Sequence, residues 1–344
     1  MRSTVLVATT ASRVIMGQQA YEQNLLASLV ALDPWDIDVE DCSLSSMRGR
    51  HPGAIRLPMK AIARSPIAAR AAARWAYRGA DVVHRCDLRL PGATGRGLEV
   101  VTVHDLAFEH FSDEGSIPDD ARQELKRAQV VIAPSEFSAQ ELRTRWGLSD
   151  VRTVLNGVDS RLLVECTQGP GHLGQYVLHS GGASTRKNLG ELAAAWGTLR
   201  RRFPGLSLLM TGPADPRREA AFGHLAGVAM LGHVERSRHL QLLLQASVVV
   251  VPSLYEGFGL PVLEALAARV PVVVSNCSSL PEVAGGHGVL VEPTSAGLLE
   301  GLTRCLNEPP GEDEREAGRA WARNFTWESS ARKHLAIYRE VLSR

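Results

Sequence analysis

The sequence predicts an α/β protein made of two domains, each built on a parallel β-sheet. A chain of 344 residues exceeds what one hydrophobic core usually organises, so the length favours two domains. Short β-branched runs alternate with longer helical patterns along the chain, which is typical of βαβ units. Residues 160–175 lack periodicity and include a Thr-Gln-Gly-Pro-Gly run at 167–171, which indicates a linker between the domains.

Each half contains enough strand candidates for its own Rossmann-like sheet, so we place the first domain at residues 1–165 and the second at 172–326. The candidates are Val5–Ala8, Ile37–Val39, Asp81–His84, Val100–Val103, Val130–Ala133 and Val151–Leu155 in the first half, and Tyr176–His179, Leu206–Met210, Ala229–Leu231, Val248–Val251, Val272–Val274 and Val289–Val291 in the second. The tail, residues 327–344, has apolar residues at three- and four-residue spacing and predicts a helix that could return to the first domain.

The composition and charge exclude several classes of protein. A formal net charge of +1 gives no global case for nucleic-acid binding. The apolar part of residues 1–10 is too short for a signal peptide, and no apolar run is long enough to cross a membrane, so we expect a cytoplasmic protein. The cysteines lack the close pairs of zinc or redox motifs, so we expect reduced thiols. They are Cys42, Cys86, Cys166, Cys277 and Cys305.

The stretch Val248–Ala267 predicts a buried strand, a glycine-bearing loop and a helix opened by proline. Free amides and the dipole at the start of such a helix bind anionic oxygens, and Gly257 and Gly259 let the backbone approach a ligand closely. Glu264 falls one turn into the helix, where a carboxylate can accept from a ribose diol, and Glu256 stays in the loop. One crevice could thus contact ribose, diphosphate and hexose. The alternative is coincidence, with one glutamate solvated and the other capping.

A second strand-loop-helix unit spans Tyr176–Leu189. Arg186 and Lys187 lie beside its predicted helix N-terminus, where the helix dipole alone disfavours cations. A bound diphosphate would explain both, because guanidinium and ammonium groups suit phosphate oxygens. The alternative is a solvated basic turn.

In the first half, the strand candidate Val100–Val103 ends in His104 and Asp105. Ligands of open α/β sheets bind outside the carboxyl ends of the strands, which places His104 toward a cleft between the domains. The alternatives are a structural histidine with satisfied hydrogen bonds and an aspartate that caps the residues after it.

Six strings, which include the residues above, occur in the order typical of one family and cover most of the chain. They are Val103-His104-Asp105-Leu106-Ala107-Phe108, Ala133-Pro134-Ser135-Glu136-Phe137-Ser138, Asn156-Gly157-Val158-Asp159, Arg186-Lys187-Asn188, Pro252-Ser253 with Glu256-Gly257-Phe258-Gly259-Leu260-Pro261 and Glu264, and Ser278-Ser279-Leu280-Pro281-Glu282-Val283. On these strings the chain resembles the retaining GT-B-fold glycosyltransferases of group 1, or family 4, which include bacterial mannosyltransferases and sucrose synthase.

The resemblance implies two Rossmann-like domains whose parallel sheets face an interdomain cleft. The donor site would lie mainly in the C-terminal domain and the acceptor site mainly in the N-terminal one. The resemblance implies no metal and no cofactor, because the nucleotide-diphosphate sugar is itself a substrate. The acceptor is an unidentified glycan, lipid or small molecule.

The resemblance also implies roles for single residues. Arg186 and Lys187 would bind the diphosphate, and Glu264 would bind the ribose. Glu256 and the adjoining backbone would bind the transferred hexose, which His104 would contact from across the cleft. The catalytic set is then His104, Glu256, Arg186 and Lys187, and the donor-binding set is Gly17, Val234, Gly257, Phe258, Gly259, Leu260 and Glu264.

The chain departs from the family pattern in two places. Many relatives have a glycine-rich loop after the first strand, whereas here only Gly17 is available for close approach to the donor phosphates. Relatives also often carry an arginine about six residues before the phosphate lysine, a position that Gly181 occupies here, so Arg186 would substitute.

Val234 resembles the residue whose backbone meets the nucleotide base.

Transfer requires a nucleoside diphosphate to leave an anomeric carbon through an oxocarbenium-like transition state. Arg186, Lys187 and the helix amides would stabilise the charge that builds on the leaving phosphate. The resemblance implies retention by attack on the same face, with the leaving phosphate taking the acceptor's proton. Glu256 would then orient the hexose without acting as a nucleophile, so we predict that Glu256→Gln folds normally but loses most transfer activity.

Residues 47–80 carry eight lysines or arginines and no acid. Arg70, Arg74 and Arg78 recur every four residues beside Trp75 and Tyr77, which predicts a helix with one basic stripe. The segment Arg64–Arg78 is therefore a candidate for peripheral contact with the anionic inner face of a membrane, or for binding an anionic acceptor. The alternative is an ordinary solvated face on a helix that packs its alanines inward.

The residues leave the donor open. The string Ser278–Val283 favours GDP-mannose, with UDP-glucose next. A sugar-nucleotide epimerase on the same scaffold and a non-catalytic nucleotide-sugar binder are the alternatives. An NAD-dependent dehydrogenase is disfavoured, because Gly-x-Gly-x-x-Gly does not follow the first strand.

Overall fold

A computed structural model describes residues 2–12, 17–47, 49, 51, 53–62, 65–92, 98–118, 120–164 and 174–344. The chain divides into two compact units, and both contain segments that are distant in sequence. The first unit comprises Met1–His110, Gly115–Gly157 and Trp327–Arg344, and the second comprises Phe111–Glu114 and Val158–Thr326. Most of the predicted linker, residues 165–173, lies outside the described residues, and so does Cys166.

The strands of the first unit all run parallel. They are β1 (Ser3–Thr10), β2 (Ile37–Ser46), β3 (Ile55–Leu57), β4 (Val82–Arg85), β5 (Leu98–Thr102), β6 (Val130–Ala133) and β7 (Val151–Thr153). The described residues form one sheet in the order β3-β2-β1-β4-β5-β6-β7. The order reverses between β1 and β4, so the carboxyl ends of these two strands mark the usual ligand-binding edge. The helices are α1 (Gly17–Leu32), α2 (Met59–Ile62), α3 (Pro66–Ala76), α4 (Ala107–His110), α5 (Ala121–Leu125) and α6 (Glu136–Trp146).

The second unit has the same plan with a smaller sheet. Its strands are β8 (Tyr176–Ser180), β9 (Ser207–Thr211), β10 (Val228–Gly232), β11 (Val248–Val251), β12 (Val272–Ser275) and β13 (Val289–Val291). In the described part of this unit they pair in parallel in the order β10-β9-β8-β11-β12-β13, which reverses between β8 and β11. The helices are α7 (Leu189–Arg202), α8 (Pro216–Phe222), α9 (Arg236–Leu244), α10 (Leu260–Ala267), α11 (Leu280–Ala284), α12 (Ser295–Asn307) and α13 (Glu312–Ala322).

The C-terminal helix α14 (Trp327–Ser343) belongs to the first unit, where it packs against α1. Buried polar groups join it to α1 and to the strand β4. The Tyr21 hydroxyl lies 3.0 Å from His334 Nε2, and His84 Nδ1 lies 2.7 Å from the Tyr338 hydroxyl. Burial lowers the pKa of both histidines, that of His334 to about 4, so both imidazoles are neutral at pH 7.

The predicted fold class is confirmed, because both units are α/β with parallel sheets. Each strand candidate corresponds to a strand, and runs such as Val248–Val251 match their predicted bounds. The strand β3, which has three residues and lies at the sheet edge, was not predicted from the sequence. Among the described residues, no helix combines the length and apolar character needed to cross a membrane.

Candidate functional site

The loop between β11 and α10 requires glycine at Gly259. This residue has a φ of 107°, and a Cβ there would lie 2.8 Å from Leu280 Cδ2. Gly257 is buried, and the buried Phe258 ring lies 6.2 Å from the Phe325 ring. The Phe258 side chain is therefore part of the core, and its carbonyl accepts from Ser279 Oγ at 2.8 Å. Leu260 begins the helix, as the proline after it predicted.

Glu256 lies in this loop as a buried and fully bonded carboxylate. Its side chain accepts from Lys187 Nζ at 2.6 Å, Arg186 Nη1 at 2.7 Å and Ser253 Oγ at 2.7 Å. Burial raises the pKa of Glu256, but Lys187 and Arg186 outweigh burial and lower it to about 2. Glu256 is therefore ionised at any physiological pH, in a place that is only 8% exposed.

Arg186 and Lys187 lie in a single 3₁₀ turn, Thr185–Lys187, between β8 and α7. Asn188 ends that turn in the left-handed region, with a φ of 54°, and its Nδ2 donates to the Pro252 carbonyl at 3.0 Å. The Leu254 amide donates to the Arg186 carbonyl at 2.7 Å. These bonds tie the two loops together, which gives the Arg-Lys-Asn string a structural reason.

Glu114 adds a second carboxylate to this cluster. Its Oε1 lies 2.6 Å from Arg186 Nε, and its neighbour Asp113 accepts from the Thr185 amide at 2.8 Å. Both acids belong to the second unit, although they precede the rest of it by more than forty residues of chain. Glu114 was not predicted from the sequence, because no local pattern indicates an ion pair between residues 72 positions apart.

Glu264 lies one turn into α10, as predicted, and forms a separate ion cluster. Arg236 Nη2 is 2.7 Å from its Oε1, and His239 Nε2 is 3.3 Å from its Oε2. Arg236 Nε is also 3.1 Å from Asp159 Oδ2. Burial raises the pKa of Glu264, but His239 and Arg236 outweigh it and lower the pKa, so the carboxylate can accept from hydroxyl groups. Val234 is half-buried between β10 and α9.

His104 lies in the first unit, just after β5. Its Nε2 donates to the Cys86 carbonyl at 3.1 Å, and its ring packs edge-on to Tyr21 at 4.7 Å. Burial lowers the pKa of His104, so its imidazole is neutral at pH 7. Asp105 accepts from the Ala107 amide at 3.0 Å, which confirms the capping alternative for this aspartate.

Gly17 also belongs to the first unit, where it begins α1. It is exposed, and a Cβ added there would meet no described atom within 4 Å, so packing does not require glycine at this position. The chain immediately before it, residues 13–16, lies outside the described residues. In the described ranges, His, Cys, Asp and Glu side chains form no group of three or more that could hold a metal ion.

The basic stretch, residues 47–80, contains β3, α2 and α3, and the N-cap of α3, Ser65, accepts from the Ala68 amide. Arg70 and Arg74 are exposed, while Ala73 is buried against the core. The helix ends at Ala76, so Arg78 lies beyond it and the predicted stripe of three arginines on one helix is wrong. Tyr77 is buried, and its hydroxyl donates to the Pro91 carbonyl. Arg48, Arg50 and Arg64 lie outside the described residues.

Comparison with known proteins identifies the family of this chain. The sequence model of the family "Glycosyl transferases group 1" matches residues 174–308, and that of the family "Glycosyltransferase Family 4" matches residues 30–162. The chain is 34% identical over 301 residues to O-antigen chain mannosyltransferase B of Escherichia coli, a match that covers 77% of this chain and 76% of that protein.

Glycogen synthase of Mycobacterium tuberculosis is 30% identical over 202 residues, covering 56% of this chain and 49% of that enzyme. This match therefore spans only about half the length of that relative. Sucrose-phosphate synthase from Thermosynechococcus elongatus, a solved structure, superposes with a TM-score of 0.78 at 22% identity, covering 99% of this chain and 100% of that one. The likeness shows the GT-B fold. Since family models match both halves and the Escherichia coli relative aligns over most of its length, the chain belongs to the group 1, or family 4, glycosyltransferases.

Proposed function

We propose that this glycosyltransferase moves a hexose from a nucleotide-diphosphate sugar to a glycan, lipid or small-molecule acceptor, with retention and without a metal. The observation that carries the proposal is the buried cluster of Arg186, Lys187 and Glu256. GDP-mannose is the favoured donor, and UDP-glucose is next. The names of the mannosyltransferase and glycogen synthase relatives support mannose and glucose, respectively.

The cluster supplies what a diphosphate leaving group needs. Arg186 offers a planar fork and Lys187 a compact charge, and both adjoin the glycine loop before α10. Burial lowers the local dielectric, so these cations stabilise charge on the leaving phosphate more strongly than they would in water. Two protein cations in this position would supply part of the charge neutralisation that a metal ion supplies in other enzymes.

Glu256 and Glu264 divide the sugar groups between them. Glu264, held ionised by Arg236 and His239, would accept from the ribose diol. Glu256 would accept from hexose hydroxyls, and its negative charge would favour the oxocarbenium-like transition state. The acceptor's proton would pass to the leaving phosphate, so no protein group has to change its protonation state. His104 would contact the hexose as a neutral imidazole.

The test is donor turnover by the purified protein with GDP-mannose and UDP-glucose, with and without candidate acceptors and with a chelator present. NMR of the product would report the anomeric configuration. Release of an epimerised sugar without acceptor would identify an epimerase instead, and tight binding without turnover would identify a binder. Inverted product, or activity that the chelator abolishes, would refute the corresponding part of the proposal.

We also propose that α3 and its flanks, from Arg64 to Arg78, contact anionic membranes. Two apolar side chains, Ile67 and Trp75, are 81% and 53% exposed on the helix that carries the basic residues. Apolar residues beside exposed cations are typical of helices that lie on anionic lipid. Co-sedimentation with anionic but not neutral vesicles is the expected result. Equal recovery with both would leave an ordinary solvated face.

A further inference from the structure

Arg218 lies against the Gly181–Gly182 loop that follows β8. It is the third residue of α8 and only 2% exposed. Its Nη2 donates to the Gly181 carbonyl at 2.6 Å and to the Gly182 carbonyl at 3.1 Å. Gly212 packs so closely under the loop that a Cβ there would lie 1.9 Å from the Gly181 oxygen. The guanidinium and the loop therefore form one tightly packed unit.

No carboxylate pairs with Arg218 at close range. Among the described residues it forms no ion pair, its Nε has no hydrogen-bond partner, and the charge of Asp215 acts on it only from beyond ion-pairing distance. Its neighbour Arg217, which is 51% exposed, pairs with Asp215 at 2.9 Å and also with Asp113. Buried charges in proteins are normally paired or bound to an ion, so the Arg218 environment is suited to an anion that arrives from outside.

Two other groups, the half-buried Lys187 and the buried His179, lie next to the same loop. Lys187 Nζ is 3.9 Å, and His179 Nε2 is 4.0 Å, from the position that a Cβ on Gly181 would occupy. His179 Nδ1 lies 3.3 Å from the Val250 carbonyl, which leaves Nε2 as an acceptor without a partner among the described residues. A ligand with both anionic oxygens and hydroxyl groups matches this surface. Nucleotide sugars carry both.

We propose that Arg218 is the third cation of the donor-diphosphate site. Arg186 and Lys187 are already neutralised in large part by Glu256 and Glu114, so Arg218 supplies the positive charge that remains. It acts as a positioning residue, because it fixes the carbonyls of the Gly181–Gly182 loop while its field attracts the diphosphate. This inference rests on the proposed function, since it names the diphosphate as the ligand.

The experiment compares Arg218→Met with Arg217→Met, since each removes one positive charge from α8. Calorimetry measures the Kd for GDP or UDP, whichever the wild type binds more tightly, and for the matching nucleoside. We expect Arg218→Met to weaken diphosphate binding about 10- to 100-fold, because a buried cation acts on a nearby anion through a low dielectric, and to leave nucleoside binding unchanged. Arg217→Met should stay within about threefold, because exposed charges are screened. Arg218→Lys should be intermediate and should raise the donor KM more than it lowers kcat.

Unfolding curves of the free proteins show whether each variant folds, and Arg218→Lys carries the test if Arg218→Met does not. Equal weakening by both methionine variants, equal loss of nucleoside binding, or unchanged diphosphate binding in Arg218→Met would overturn the proposal. Inorganic pyrophosphate separates it from the proposed function. If pyrophosphate binds in an Arg218-dependent way but neither GDP nor UDP binds, the donor assignment fails and the anion site stands. If none of the three binds, both fail.

Discussion

Replacing Glu256 with glutamine tests the ion cluster at the centre of the proposed donor site. The change keeps the size of the side chain and removes its negative charge. Lys187 and Arg186 then face a neutral amide in a place where Glu256 was only 8% exposed. The sequence alone predicts normal folding for this variant, whereas the buried cluster predicts a loss of stability.

The magnitude follows from the contacts. Removing one partner of a buried ion pair costs about 3–5 kcal/mol, because the other charge stays buried. Glutamine retains an oxygen that can accept one hydrogen bond, worth about 1 kcal/mol. Arg186 also keeps Glu114 at 2.6 Å, so Lys187 is the charge chiefly left without a partner. We therefore expect the free energy of unfolding to fall by about 2–4 kcal/mol.

Urea denaturation of wild type, Glu256→Gln and the exposed control Glu300→Gln measures this loss. The same structure predicts an opposite effect on anion binding, because Glu256 competes with a ligand for Lys187 and Arg186. Pyrophosphate should bind the glutamine variant about tenfold more tightly, a change of about 1.4 kcal/mol, and should restore part of its stability. Transfer activity should nevertheless fall, since the hexose loses its carboxylate.

Unchanged stability together with weaker pyrophosphate binding would refute this reasoning. That result would mean that the carboxylate organises Arg186 and Lys187 for the phosphate instead of competing with it. Full transfer activity in the variant would separately refute the role of Glu256 toward the hexose. If Glu300→Gln lost as much stability as Glu256→Gln, the loss would not come from the ion pairs of Glu256 with Lys187 and Arg186.

Three further expectations concern other parts of the chain. His334 has a pKa of about 4 in the folded protein and about 6.5 in the unfolded chain. Its contribution to stability is therefore present above pH 6.5 and is lost as the pH falls toward 4, which urea denaturation midpoints between pH 7.5 and 4.5 would measure. Arg236→Gln should raise the donor KM about tenfold with little change in folding, because Glu264 loses a bonded cation. Steady-state kinetics measure this KM, and an unchanged value would contradict the prediction. Gly212→Ala should lower the free energy of unfolding by more than about 2 kcal/mol, because the φ of Gly212 is 129° and the new Cβ would overlap the Gly181 oxygen. Thermal denaturation measures this loss, and an unchanged stability would mean that the Gly181–Gly182 loop moves freely.

The sequence predicted the sheets well because their central strands are continuous runs of β-branched residues. Val248–Val251 and Val130–Ala133 are buried along their whole lengths, so composition and period agree with the fold. The edge strand Ile55–Leu57 has only three residues and one buried side chain, so it carries almost no pattern. What fixes it is pairing with β2, and a single sequence contains no direct record of that pairing.

The candidate site was predictable only where its residues lie in local strand-loop-helix units. Arg186, Lys187, Glu256 and Glu264 each have such a context, and the structure gives each of them an ion pair. From the sequence, we expected Arg186 to substitute for the arginine that many relatives carry at the position of Gly181. In the structure, Arg218 also places a guanidinium on that residue, from a helix 37 positions away.

The charge balance of the site shows why residues outside the motifs matter. The net charge of Arg186, Lys187 and Glu256 is +1. Glu114 adds one negative charge and Arg218 one positive charge, so the net charge stays at +1 but the position of the unpaired positive charge changes. Glu114 neutralises part of the positive charge of Arg186, and Arg218 adds a positive charge beside the Gly181–Gly182 loop. Donor affinity depends on where the uncompensated charge lies, because buried charges interact strongly over short distances. Two enzymes with the same motifs can therefore hold the same diphosphate with different strength.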